Sequence, residues 1–211
     1  MSEATTASIT VYSDYVCPFC YLGRESLSRY QADRDKPLRI DWRPFDLRAG
    51  KRTADGEIDH SVDDGKDDDY FEQAKESVRR LQQEYDVEMT LELATEIDSL
   101  DAQVASAYVS REHPYETWLA FDEAIFAALW QDGRDIGSED VLVDLATSVG
   151  IDGDAITAAL DDEPHRETVT DAFTAAQQAG ITGVPTFVAD GHAARGAVPP
   201  AQLRRLVEGA E

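Results

Sequence analysis

The sequence predicts an α/β protein in which one sheet is built from the two ends of the chain, with a large all-helical block inserted between them. Three observations predict this class: a strand–helix–strand pattern near the N-terminus, a helical periodicity across the middle, and a strand–strand–helix pattern near the C-terminus. Neither end makes a core alone, so the simplest packing joins them in one sheet. The boundaries we predict are 1–46 and 164–211 for the two halves of the sheet domain, and 47–163 for an acidic loop and the helical insertion.

The first half of the sheet domain begins with a strand, which Ile9 and Val11 and their neighbours predict. A helix is expected from Pro18 to about residue 32, since a proline at the first helical position gives up no N–H that the helix needs. Alternation of apolar and charged residues over 38–42 predicts a second strand, closed by Pro44. A crossover helix of this length makes the two strands parallel.

The middle of the chain differs from both ends. Residues 47–69 have no apolar period and carry many acids, which predicts a solvated loop. From residue 70 to about residue 163, apolar residues recur at helical spacing, so we expect helices throughout. The segment from Trp118 to Trp130 is apolar on nearly all sides and is expected to be the buried centre of the insertion.

The second half of the sheet domain completes the predicted sheet. A helix is expected to open at Pro164 and to end at Gly180. Two short strands, at 186–189 and 192–196, then form a hairpin around a tight turn. A final amphipathic helix follows.

The chain is strongly acidic, with 43 acidic residues against 19 basic ones and a net charge of −24. A field of this sign repels nucleic acids and anionic membranes, so we expect neither as a partner. The acids are spread along the whole chain, Asp outnumbers Glu by 26 to 17, and there are 4 Lys against 15 Arg. Charge spread this evenly favours adaptation of the whole surface to high salt, where repulsion is screened. We therefore expect a halophilic source.

The sequence also predicts the compartment. It contains no apolar run of about eighteen residues, so no transmembrane helix is expected. Residues 1–8 are polar and lack the basic region and the apolar stretch of a secretory signal. We therefore predict a cytoplasmic location.

The only two cysteines of the chain, Cys17 and Cys20, lie between the first predicted strand and the first predicted helix. A helix N-terminus offers unpaired N–H groups and partial positive charge, which favour the thiolate of Cys17. Cys20 shares a helical face with Gly23 and Leu27, so we expect it to face the sheet while Cys17 lies at the exposed end. The arrangement predicts dithiol exchange, in which Cys17 attacks and Cys20 resolves the mixed disulfide.

Three other interpretations of the cysteine pair stay open at this point. The pair could be half of a zinc site, although the four histidines, at 60, 113, 165 and 192, lack ligand spacing. It could be an inert structural disulfide, which is rare in a reducing cytoplasm and closes too small a loop to stabilise much. The spacing could also be a coincidence. The strand before the pair and the helix after it favour the redox interpretation, and we predict neither a metal nor a cofactor.

A second signal, Gly183-Val184-Pro185-Thr186, lies at the start of a predicted strand. Proline cannot donate to a sheet ladder, so Pro185 marks a sheet edge, ends a loop or forms a cis bond in a tight turn. The presence of two closely spaced cysteines at the opposite end of the chain favours the cis bond.

Several longer segments of the chain resemble one family. They are DYVCPFCYLG, DWRPFDL, LWQDGRDIGSEDVLVDLA, and GITGVPTFVADG followed by RGAVPP. They are similar to the DsbA-like family of thioredoxin-fold oxidoreductases, in particular its cytoplasmic FrnE-like branch, and the likeness spans most of the chain apart from 47–69. The resemblance implies a thioredoxin fold with a helical insertion and a thiol–disulfide exchange activity.

The resemblance also implies roles for four residues. Cys17 matches the nucleophile and Cys20 the resolving cysteine. Pro185 matches the cis-proline and Val184 the residue whose backbone pairs with an extended substrate. Phe19, between the cysteines, is a further candidate for substrate binding.

The dipeptide between the cysteines departs from part of this family. It is Pro-Phe here, whereas the strongly oxidising periplasmic members have Pro-His. No imidazolium is available to stabilise the Cys17 thiolate, and Asp14 lies nearby in sequence as a like charge. We therefore expect a less oxidising couple than in those members.

The sequence thus predicts a thiol–disulfide oxidoreductase whose partners are disulfide-containing or dithiol substrates and a redox recycling partner. One alternative is a glutathione-dependent isomerase or transferase of the same fold, although related enzymes of that kind place a serine at the position of Cys17. Another alternative is a non-enzymatic module that binds metal or peptide. The direction of electron flow is open, since it depends on the couple and on the poise of the compartment.

Overall fold

The computed structural model describes residues 7–53, 56–63 and 65–209, and it confirms the predicted α/β class. Its sheet takes two strands from each end of the chain. The four strands are β1 (Ala7–Ser13), β2 (Leu38–Pro44), β3 (Thr186–Ala189) and β4 (His192–Arg195). Their order across the sheet is β2-β1-β3-β4, so the two halves of the chain join between β1 and β3.

The register of the sheet brings three loops together. β1 is parallel to β2, as predicted, and Ser13 is opposite Pro44 at the carboxyl ends of both strands. β3 is antiparallel to β1, with Thr186 opposite Tyr12. The segments that follow Ser13 and Pro44 therefore meet the segment that precedes Thr186 at one end of the sheet.

Eight α-helices surround and extend this sheet within the described residues. They are α1 (Pro18–Ala32), α2 (Asp68–Glu84), α3 (Leu100–Glu112), α4 (Tyr115–Trp130), α5 (Glu139–Ser148), α6 (Gly153–Leu160), α7 (Glu163–Gln178) and α8 (Pro200–Glu208). The first of them packs against the last, and α7 lies against β2. None of the described helices is both long enough and apolar enough to cross a membrane.

The prediction of helices throughout 70–163 is wrong for residues 86–99, which have no regular structure. Residues 87–93 alternate apolar and polar side chains, and this period of two suits an extended chain rather than a helix. The backbone of the segment bonds to other elements, as where Thr90 N donates to Trp130 O at 2.6 Å.

The larger of two apolar clusters runs from the sheet into the insertion. Ile9 of β1 and Leu22 of α1 belong to the same buried cluster as Phe121 and Ile125 of α4. The segment Trp118–Trp130 is the buried centre that the sequence predicted, since neither of its terminal tryptophans is more than 2% exposed. The insertion and the sheet are therefore packed together, while the residue boundaries between them stay a prediction.

The acidic loop that the sequence predicted over 47–69 is mostly irregular where it is described, with a short 3₁₀ turn at Ala49–Lys51. Its first part is anchored by Arg52. The guanidinium lies 2.7 Å from Asp46 Oδ2 and 2.8 Å from Asp98 Oδ2. These ion pairs hold the segment after β2 beside the residues that lead into α3.

Candidate active site

The N-terminus of α1 follows directly from the carboxyl end of β1. Cys17 is the N-cap of α1, with an extended backbone, and Pro18 takes the first helical position. The Cys17 carbonyl accepts hydrogen bonds from Cys20 N at 3.0 Å and from Tyr21 N at 3.3 Å, and Cys17 N donates to Asp14 O at 3.2 Å. The Cys17 side chain does not cap the helix, so its sulfur is left for other contacts.

Both cysteines are free thiols, and both are buried, with 4% of Cys17 and 2% of Cys20 exposed. The expectation that Cys20 faces inward agrees with this burial, but the expectation of an exposed Cys17 is wrong. The segment before β3 covers Cys17, whose Sγ donates to Val184 O at 3.6 Å. A molecule that reaches the Cys17 sulfur therefore has to pass beside Val184.

The surroundings of the Cys20 sulfur disfavour its ionisation. Burial raises the pKa of Cys20 well above its usual value, and the hydrogen bond and electrostatic interaction with Cys17 raise it further. The Ser13 side chain and the Asp14 backbone oppose this rise by bonding to Cys20. Cys20 therefore holds its proton at neutral pH unless a neighbour accepts it.

Hydrogen bonds and packing against α1 hold the segment before β3 in place. The Val184–Pro185 peptide bond is cis. Thr186 Oγ1 donates to Gly183 O at 2.7 Å, and Gly196 N donates to Pro185 O at 2.8 Å. Against α1, a Cβ placed on Gly23 would lie 3.0 Å from Pro185 Cγ, so the absence of a side chain at Gly23 permits this close approach.

The structure thus brings together four of the five predicted site residues. Cys17, Cys20, Val184 and Pro185 meet where α1 begins and β3 starts. Phe19 lies in the first turn of α1, half-buried and packed against the core, but it makes no hydrogen bond or ring contact with the other four among the described interactions.

The zinc interpretation finds no ligand set in the described part of the chain. No group of three or more His, Cys, Asp or Glu side chains there could hold a metal ion. Two of the four histidines have other partners: His165 Nε2 lies 3.0 Å from Val104 O, and His60 Nδ1 lies 3.4 Å from Glu96 Oε2.

Tyr15 ties the loop before Cys17 to the inserted helices. Its hydroxyl lies 2.8 Å from Ser106 Oγ and 3.0 Å from Asp122 Oδ1, and its carbonyl accepts from Trp130 Nε1 at 2.9 Å. Arg24 Nε is paired with Asp122 Oδ2 at 3.0 Å. Burial raises the pKa of Asp122, and the charge and hydrogen bond of Arg24 oppose that rise. The insertion therefore supports the cysteine loop through a buried polar network.

Asp14 is the second link between this loop and its surroundings, and it is only 1% exposed. Its Oδ1 accepts from Ser99 Oγ at 2.5 Å and from Val16 N at 3.2 Å, and its Oδ2 accepts from Leu47 N at 2.8 Å. Burial raises the pKa of Asp14 to about 6, against the opposing effect of these hydrogen bonds.

Asp14 is expected to make stability depend on pH. Because its folded pKa of about 6 lies above the unfolded value of 3.8, the folded state binds the proton more tightly, and stability falls as pH rises between these values. Relative to Asp14→Asn, the wild type should lose about 2 kcal/mol between pH 4 and pH 7.5. Urea unfolding of both proteins in molar KCl measures the difference. Exposed Asp35→Asn is the control for the loss of one negative charge from the surface. A difference in unfolding free energy between wild type and Asp14→Asn that does not change with pH would contradict the expectation.

Sequence reasoning missed most of the residues around the cysteines. It found Asp14 only as a nearby charge, and it did not find Ser13, Ser99 or the role of Gly23. The one local signal was a glycine inside the first helix, where it costs helix stability and therefore suggests a close approach. No local pattern connects Ser99 with residue 14, because only the tertiary packing of the insertion brings them together.

The chain has relatives that cover nearly its whole length. A family model described as a DSBA-like thioredoxin domain matches residues 8–208. The protein YwbO of Bacillus subtilis (strain 168) is 30% identical over 184 residues, which make up 87% of this chain and 86% of YwbO.

Solved structures share the fold at lower identity. A probable DsbA oxidoreductase from Streptomyces coelicolor has a TM-score of 0.77 at 20% identity, covering 97% of this chain and 91% of that one. The cytosolic disulfide reductase DsbM from Pseudomonas aeruginosa, solved with GSH, has a TM-score of 0.56 at 19% identity, covering 96% and 93%. With the family model matched over residues 8–208, the chain belongs to the DSBA-like thioredoxin domain family.

Proposed function

We propose that this protein is a thiol–disulfide oxidoreductase that exchanges a dithiol and a disulfide with its substrate through a mixed disulfide on Cys17. One observation carries the proposal: two free thiols lie at the N-terminus of a helix, one of them beside Val184 and the other buried behind it. The family match and the disulfide oxidoreductases among the structural relatives support the same chemistry.

The exchange takes place in two steps. In the reducing direction, the Cys17 thiolate attacks a substrate disulfide, a Cys17–substrate disulfide forms, and the other substrate sulfur leaves as a thiolate. Cys20 then loses its proton and attacks Cys17, which releases the second substrate thiol and leaves a Cys17–Cys20 disulfide. Two electrons pass to the substrate. A recycling partner of dithiol character restores the reduced pair, and the reverse sequence oxidises a dithiol.

The burial of Cys20 suits the second role. A thiol that holds its proton does not compete with Cys17 for the substrate, and its closeness to Cys17 gives it a high effective concentration once the mixed disulfide has formed. The segment at Val184 and Pro185 is the proposed contact for the substrate backbone, with Phe19 as an apolar contact at the helix start.

Trapping the mixed disulfide tests the proposal. Cys20→Ser removes the resolving thiol, so a disulfide-containing peptide is expected to remain attached to Cys17, where mass spectrometry detects it after alkylation of free thiols. Cys17→Ser in the same experiment should trap nothing. Equal labelling of both variants would overturn the assignment of the attacking sulfur.

The two alternatives from the sequence are further outcomes of this experiment. With oxidised glutathione as a second substrate, a Cys17–glutathione disulfide that forms with release of one glutathione thiol, together with no exchange on peptide disulfides, would favour the glutathione-dependent isomerase or transferase. Zinc bound to the reduced protein, measured by metal analysis and accompanied by no trapping, would favour the binding module.

Alanine in place of Gly23 is expected to slow exchange. The new Cβ would lie 3.0 Å from Pro185 Cγ and 3.1 Å from Phe187 Cζ, so the segment that covers Cys17 has to move away from α1. Displacement of a substrate-positioning segment is expected to lower the exchange rate about tenfold, while helix propensity offsets part of the packing cost with about 1 kcal/mol. Exposed Ser28→Ala in the same helix is the control, and an unchanged exchange rate in Gly23→Ala would contradict the expectation.

The acidic surface supports a halophilic, cytoplasmic member of the family's FrnE-like branch, and this placement is also part of the proposal. A net charge of −24 is expected to destabilise the fold by self-repulsion until salt screens it. The midpoint of thermal unfolding should therefore rise from low to molar KCl. A midpoint that stays constant across this range would remove the argument for a saline cytoplasm.

A further inference from the structure

A buried carboxylate connects the cysteine loop with two other parts of the chain. The two oxygens of Asp14 accept hydrogen bonds from Val16, from Leu47 and from Ser99. Val16 directly precedes Cys17, Leu47 lies in the segment after β2, and Ser99 is the N-cap of α3. One side chain therefore fixes the position of the redox loop relative to the sheet and to the insertion.

Further hydrogen bonds lead from Ser99 to the second cysteine. Ser99 Oγ accepts from Gln103 Nε2 at 3.2 Å, and this amide also donates to Phe45 O at 3.1 Å. Phe45 N in turn donates to Ser13 O at 3.0 Å, and the Ser13 side chain bonds to Cys20. The network thus runs from the residue before one cysteine to the residue that contacts the other.

We propose that Asp14 is a positioning residue for disulfide exchange, because its ionised carboxylate holds the loop that carries Cys17 against Leu47 and against Ser99 of the insertion. The inference rests on the proposed exchange at Cys17. It assigns Asp14 no contact with substrate.

The ionised form is the one that suits these contacts. A carboxylate is an acceptor at both oxygens and satisfies all three donors, whereas a protonated acid carries a hydrogen that competes with one of them. Two neighbouring charges on the segment after β2 act on the Asp14 carboxylate in opposite directions. Asp46 disfavours its negative charge, and Arg48 favours it. The backbone of Asp14 also bonds to Cys17 and to Cys20, and Asp98 precedes Ser99. Since the pKa of Asp14 is raised to about 6, the carboxylate that accepts these three hydrogen bonds forms as pH rises into the neutral range, even though burial of its charge costs stability.

Ionised Asp14 has two opposite effects on exchange. As a like charge it opposes the thiolate of Cys17 and slows attack. As an acceptor of three hydrogen bonds it holds Cys17 beside Val184 and speeds attack. The second effect is the larger, so the sign of the pH dependence distinguishes a positioning residue from a simple charge.

The experiment compares the reduced wild type with Asp14→Asn in molar KCl from pH 5 to pH 7.5. The measured quantity is the single-turnover rate constant with 5,5′-dithiobis(2-nitrobenzoate), followed by absorbance. Asparagine resembles the protonated acid, so the ratio of wild type to variant should lie near one at pH 5 and reach about tenfold at pH 7.5, as expected for lost hydrogen bonds to a charged group. Ser99→Ala keeps the charge and removes one donor, so it should also be slower than the wild type at pH 7.5.

Exposed Asp35→Asn is the control, because it removes one negative charge after the C-terminal end of α1, at the opposite end of that helix from Cys17. Its ratio to the wild type should not change with pH. A ratio for Asp14→Asn that is flat, or that falls below one at pH 7.5, would overturn the inference.

A second readout does not depend on activity. The amide resonances of Val16 and Leu47 should shift with a common midpoint near pH 6 in the wild type, as their shared acceptor ionises, and should not do so in Asp14→Asn. Amides that do not titrate would exclude the positioning role even if the variant reacts slowly. A wild type with titrating amides but no exchange at any pH would instead refute the proposed function on which the inference rests.

Discussion

Serine in place of Cys17 is expected to reduce disulfide exchange to the uncatalysed rate, because an alcohol forms no mixed disulfide. Serine in place of Cys20 is expected to keep the first step and to lose turnover, since no second thiol then resolves the intermediate. The two variants should therefore separate in stopped-flow experiments: a rapid single release of substrate thiol from Cys20→Ser, and no rapid release from Cys17→Ser.

External thiol provides the control for this pair. Glutathione can resolve the mixed disulfide of Cys20→Ser from solution, although it lacks the effective concentration of a tethered sulfur. Turnover of that variant should recover in proportion to added glutathione, while Cys17→Ser should stay inactive. Recovery of Cys17→Ser, or rapid turnover of Cys20→Ser without external thiol, would show that the roles of the two cysteines are wrongly assigned.

Alanine in place of Arg24 is expected to destabilise the fold by about 3–5 kcal/mol, because it leaves the buried Asp122 carboxylate without its cation. Arg24 and Asp122 are only 8% and 2% exposed, so the pair is largely shielded from solvent. Without Arg24 the pKa of Asp122, already raised by burial, should rise further. The destabilisation should therefore be larger at pH 7.5 than at pH 5, and urea unfolding at both pH values measures it.

Two further variants serve as controls for the effect of Arg24→Ala. Arg43→Ala breaks the exposed pair with Asp41 and should cost no more than about 1 kcal/mol. Arg24→Met combined with Asp122→Asn removes both charges and should recover part of the stability that Arg24→Ala loses. A loss below about 1 kcal/mol in Arg24→Ala would mean that Asp122 finds compensation elsewhere.

The sheet was accessible to sequence reasoning because its signals are local. Alternating side chains mark β1 and β2, Pro18 marks the start of α1, and the short hairpin marks β3 and β4. The segment 86–99 was not found, because its apolar residues were assigned to a helix although their period is two. Tertiary bonds, such as that from Thr90 to Trp130, satisfy its backbone instead.

The cysteines and the Val184 segment were also found from local motifs, but their surroundings were not. The burial of Cys17 follows from its contact with Val184, which is 167 residues away in the chain. The contact between Asp14 and Ser99 spans 85 residues. The first contact depends on the pairing of β1 with β3 and the second on the packing of the insertion, and no residue pattern within a helix or strand encodes either of them.

The separation of 167 residues between Cys17 and Val184 has a consequence for synthesis of the chain. A ribosome that adds about 5–20 residues per second exposes Cys17 and Cys20 roughly ten to thirty seconds before Val184 and β3 exist to cover them. During this interval both thiols are open to other thiols and oxidants, and β1 has only β2 as a partner. Cys17 is therefore covered by Val184 only when the last quarter of the chain has been made. Before that, both thiols depend on the reducing state of the compartment in which they emerge.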